Sequence, residues 1–70
     1  MDEADVIRFA SLDDGAEVLA SAHANEQGQV SLAIDHELDG DLELFMTPGV
    51  AARLASALAR AAAQARGGHG

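Results

Sequence analysis

The sequence predicts an α+β fold: a four-stranded antiparallel β-meander followed by one C-terminal α-helix packed on one sheet face. Three observations carry this. Turn signals that each end in glycine divide the first two-thirds of the chain at short, even intervals. Short apolar stretches lie between them. A Thr47-Pro48 pair then opens a run rich in alanine, leucine and arginine, all strong helix formers.

The first turn signal is Asp13-Asp14-Gly15, the second Asn25-Glu26-Gln27-Gly28, the third Asp39-Gly40. Glycine supplies the left-handed backbone that closes a bulged hairpin loop. Strands are therefore expected over 5–12, 16–24, 29–37 and 41–47. If the loops are 13–15, 25–28 and 38–40, then Phe9, Leu19, Ile34 and Leu44 fall opposite one another. Ile7, Ser21, Leu32 and Met46 form the next row, and Ser11, Glu17, His36 and Leu42 the row on the other side. One face thus gathers most of the large apolar side chains. A slip of one residue in any hairpin would send a whole strand's set to the opposite face.

In that register the second face holds Val6, Arg8, Ala10, Val18, Ala20, Ala22, Ala33 and Phe45, with Asp35 and Glu43 toward one end. A solvated sheet face normally alternates to polar residues. This face is instead small and apolar in its middle. Two readings stand beside each other: a weakly hydrophobic surface that follows from alanine-rich composition, and a face covered by another copy or a partner. On the second reading the interface residues are Val6, Val18, Ala20, Ala33 and Phe45.

The helix is expected over 49–66, with Thr47 as N-cap and Pro48 at the first helical position. Val50, Leu54, Leu58, Ala61 and Ala65 recur at three- and four-residue steps and form one apolar stripe. Arg53, Ser56, Arg60 and Gln64 share another side. A further line, Ala52, Ala55, Ala59 and Ala63, is read as helix propensity on an exposed surface, with a ridge for close helix packing as the second reading. Gly67-Gly68 ends the helix, where Arg66 suits the negative end of its dipole. The domain is read as 1–66, with 67–70 a flexible tail.

Composition limits what such a chain can do. Seventy residues make one domain at most, and one this small buries only about 60% of its unfolded surface. Small domains compensate with disulfides, metals or oligomerisation. The absence of cysteine removes disulfides and thiolate zinc sites, so self-association is the expected remedy. The net charge of −8 argues against binding nucleic-acid phosphates or anionic membranes. The acidic start has no signal-peptide pattern, and no apolar run approaches the roughly 18 residues of a membrane span. A cytoplasmic location is expected.

Catalytic and metal patterns are weak. His23 and His36 are expected on the core-side face about 20 Å apart, too far to share a metal. His36 is expected opposite Glu17, an arrangement more often structural than catalytic. Asp13-Asp14 and Asp39-Gly40-Asp41 lack the ligand ladder of a calcium loop and are explained by turn chemistry. Ser11, Ser21, Ser31 and Ser56 sit in no nucleophile-elbow setting, and no glycine-rich phosphate cradle occurs. No enzyme activity, cofactor or metal is therefore expected.

The segment Leu42-Glu43-Leu44-Phe45-Met46-Thr47-Pro48 and the run from Val50 to Leu58 resemble the ending of many small actinobacterial and actinophage proteins. Those chains finish with a strand, then Thr-Pro, then an Ala/Leu/Arg-rich helix. The resemblance covers about a third of the chain and implies a compact accessory domain with no particular activity. Gly49 departs from the acidic residue often found after Thr-Pro.

The expected function is that of a small acidic, non-catalytic interaction or regulatory module, a homodimer that also meets an unidentified protein. The alternative is an acidic inhibitor or nucleic-acid mimic, phage-encoded, that occupies a basic groove. A third reading places His23 or His36 in a ligand pocket at a dimer interface.

Overall fold

Three hairpins build one open sheet in the order β1-β2-β3-β4, and a single helix follows. The structure is a computed structural model and describes residues 5–67. The strands are β1 (Asp5–Ala10), β2 (Glu17–Ala24), β3 (Val30–His36) and β4 (Gly40–Met46), and the helix α1 is Pro48–Gly67. The expected fold class is the one observed. The acidic segment Asp2-Glu3 and the residues 68–70, His69 among them, lie outside the described residues.

The turn glycines behave as the sequence implies: Gly15, Gly28 and Gly40 have φ of 73, 77 and 94°. The register does not follow the expected loops. Ser11 N–H donates to the Ala16 carbonyl at 2.8 Å, so the first loop is Leu12–Gly15, one residue longer than expected. Its turn is held by the Asp14 carboxylate, which accepts the Ala16 N–H at 3.0 Å. In the second hairpin Asn25 stays in the ladder, donating to the Gln29 carbonyl at 2.9 Å. The Asn25 Oδ1 accepts the N–H groups of Gln27 and Gln29, which closes a three-residue loop where four were expected. In the third, Gly40 pairs with His36 instead of lying in the loop.

The two one-residue slips fall on either side of β2, so they turn β2 over and leave β1 and β3 as expected. The observed rows are Phe9–Val18–His36–Gly40, Ile7–Ala20–Ile34–Leu42 and Asp5–Ala22–Leu32–Leu44, which with Val30 and Met46 define face A. Face B carries Val6–Ser21–Ala33–Glu43, Arg8–Leu19–Asp35–Asp41 and His23–Ser31–Phe45. The third slip, between β3 and β4, is of two residues and changes partners without changing faces.

Helix α1 starts as expected. Thr47 Oγ1 accepts the Val50 N–H at 3.2 Å, and its carbonyl accepts the Ala51 N–H. The helix meets face A at one corner. There Ala51, Leu54, Ala55 and Leu58 bound a crevice with Ala22, Val30, Leu32 and Met46. It does not cross the sheet centre, and Leu19, expected on the same face as Phe9, Ile34 and Leu44, faces the other way. No helix residue is fully buried, and every position from Ala52 to Gly67 is exposed. The buried residues among those described are Ala16, Val18 and Ser31.

Candidate functional site

The expected interface divides between the two faces. Val6, Ala33 and Phe45 lie on face B, while Val18 and Ala20 lie on face A. Val18 is also buried, at 5% exposure. The five therefore cannot form one patch, because β2 presents its other side.

Face A is the larger apolar surface. Away from the helix corner, Ile7, Phe9, Leu42 and Leu44 are 63, 49, 56 and 45% exposed. Ile7 and Phe9 stand on the edge strand β1 and Leu42 and Leu44 on the opposite edge strand β4, and half-buried Ala20 and Ile34 bridge the two pairs in the row Ile7–Ala20–Ile34–Leu42. A compact protein of 7.2 kDa exposes roughly 4,100 Å². This chain exposes 5552 Å². Its radius of gyration, 13.9 Å, likewise exceeds the ~11 Å of a compact 70-residue domain.

Face B has a different character. An open groove of about 570 Å³ runs over Val6, Leu19, Ser21 and Ala33 and is bordered by Asp35, Asp41 and Glu43. Asp35 and Asp41 are directly opposed across β3 and β4. Among the described residues no cationic side chain pairs with any of these three carboxylates; Arg8 is drawn instead to Glu17, Nε to Oε2 at 3.1 Å. Glu43 accepts a hydrogen bond from the Ser31 hydroxyl at 2.8 Å, which satisfies the one buried polar side chain among the described residues. Alternation missed Leu19 and Asp41 as members of this groove. The signal that exposes them is the unneutralised like-charge pair, visible once the register is known.

The histidines also separate. His36 ends face A and His23 lies on face B, so they cannot line one pocket as a pair. His36 faces Val18 across the strands, not Glu17. Its Nδ1 accepts the N–H groups of Leu38 and Asp39 at 3.2 and 3.1 Å. The proton is thereby assigned to Nε2, which lies 3.5 Å from Asp14 Oδ2. Asp14, His36 and Asp39 each bring one ligand-type atom within 4.8 Å of the others. With Nδ1 committed to the backbone, the work of this group is to hold the third turn and tie it to the first.

Charge is segregated along the chain. All twelve acidic residues precede Pro48, and three of the four arginines follow it, in or at the end of α1. Among the described residues Arg53, Arg60 and Arg66 pair with no carboxylate. No helix of the described residues is long and apolar enough to cross a membrane. No family model, curated protein or solved structure matches this chain.

Proposed function

We propose that this chain is a small, acidic, non-catalytic interaction module that works as a homodimer in the cytoplasm and docks a further protein. The observation that supports it is the open apolar row Ile7–Ala20–Ile34–Leu42 across face A, flanked by exposed Phe9 on one edge strand and Leu44 on the other. Contiguous apolar surface of this kind marks a surface built to be covered. Neither face offers an enclosed cavity with converging polar groups of the kind small-molecule chemistry uses. Light scattering across a dilution series tests the reading. A mass of two chains that persists into the low micromolar range is expected; a single-chain mass throughout would refute the homodimer.

A second reading draws on face B. An apolar floor bordered by Asp35, Asp41 and Glu43 suits a cationic, partly apolar segment, as in an acidic inhibitor or phage-encoded nucleic-acid mimic seated in a basic groove. Its affinity should fall steeply with salt. Binding to a basic target that is indifferent to salt would remove it.

A further inference from the structure

We propose that two copies exchange helices: α1 of each chain lies across the open half of face A of the other, its apolar stripe on Ile7, Phe9, Leu42 and Leu44. This rests on the homodimer reading and specifies how the dimer is built.

The helix and the open sheet have complementary shortages. The chain's own sheet takes one side of the first turns of α1, through Ala51, Leu54, Ala55 and Leu58. The stripe continues past that corner through Ala61 and Ala65, all of it exposed. A helix of 20 residues is about 30 Å long, enough to reach from one sheet onto a second. Face A in turn has a covered corner and an uncovered strip. Two sheets closing face to face at the usual ~10 Å would have to clear the helix that stands at the corner of each. Helices laid between the sheets remove that clash and cover both faces.

Charge selects a second copy as the occupant, and the area is enough for a stable dimer. The excess over a compact surface is about 1,400 Å² per chain by the scaling above. Hiding half of it on each copy gives about 1,400 Å² in total, within the range of stable interfaces. The helix carries Arg53, Arg60 and Arg66 with no acid, whereas the sheet of a second copy brings Asp5, Asp14 and Asp39 to the borders of face A. The exchange is reciprocal, so two chains satisfy each other and the assembly closes without forming a filament.

The chain has no cysteine, so each engineered thiol is unique. Phe9→Cys and Ala61→Cys chains would be mixed, re-equilibrated and mildly oxidised, and the linked species identified by mass spectrometry, with circular dichroism confirming the fold of each. The mixed Phe9–Ala61 link is expected to dominate over both self-links. In parallel, the Arg53→Glu, Arg60→Glu chain, altered at exposed positions only, is expected to raise the dimer dissociation constant about tenfold or more at low salt. A two-chain mass with Phe9 self-links, or with no sheet-to-helix link and no effect of the arginine changes, would overturn the exchange and leave the homodimer standing. A single-chain mass at every concentration would overturn both.

Discussion

The Nε2 of His36 lies 3.5 Å from the Oδ2 of Asp14, so a side chain at the end of β3 reaches the loop between β1 and β2. The same ring accepts two backbone N–H groups of the next turn through Nδ1. One half-buried imidazole thus joins two hairpins that are not neighbours in sequence. In a chain with so few buried residues, polar links of this kind have more of the fold to hold.

Replacing His36 by alanine leaves the N–H groups of Leu38 and Asp39 without their acceptor and frees Asp14. Each lost hydrogen bond is worth about 0.5–1.5 kcal/mol. His36→Ala should therefore lower stability by about 1–3 kcal/mol, measured by urea unfolding at neutral pH. Asn, which can accept at a similar position, should recover part of it. An alanine variant as stable as the parent would show that the turn needs no such acceptor.

Gly40 has φ of +94° and opens β4 opposite His36. A Cβ built there meets nothing within 4 Å, so the cost of a side chain is conformational and not steric crowding. Gly40→Ala should cost about 1–3 kcal/mol. Thermal melting of the variant, at fixed protein concentration, is the check.

The Ser11 hydroxyl hydrogen-bonds the Asp13 carboxylate and is the main reason that its pKa lies below the ordinary value of 3.8. A lowered folded-state pKa stabilises the fold above the unfolded-state value, and this contribution is lost as the pH falls through the folded-state value. Ser11→Ala should bring the Asp13 pKa back up toward 3.8, followed by NMR titration of its side-chain carboxyl. An unmoved pKa would assign the shift to the backbone N–H groups of the turn.

The element order was legible because its markers are local. A glycine that must take positive φ and a threonine that caps a helix act within a few residues of themselves. Register was not legible, because it hangs on a single residue at each loop. Whether Leu12 and Asn25 belong to loop or ladder is decided by carboxylate and amide hydrogen bonds that spacing does not reveal. The composition of β2 removed the usual check: Val18-Leu19-Ala20-Ser21-Ala22 buries about as well with either set inward. The expected interface inherited that ambiguity, so Val6, Ala33 and Phe45 were joined to Val18 and Ala20 from the other side. The groove on face B stayed hidden for the same reason, since Leu19 was counted in the core.

Asp35 and Asp41 oppose each other on face B, and directly opposed like charges destabilise a strand pair. Both are exposed, and neither has a cationic partner among the described residues. Asp41→Asn should therefore stabilise the isolated protein by up to about 1 kcal/mol, with the gain shrinking as salt screens the pair. Thermal unfolding of parent and variant at low and high salt measures this directly. If the groove receives a cationic segment, the same substitution should weaken that binding, because the segment's charge is what relieves the repulsion. Stability rising while affinity falls would mark Asp41 as kept for recognition. A gain in stability with binding to every basic target unchanged would instead leave the pair as a feature of an acidic surface, and the groove would lose its claim to a partner.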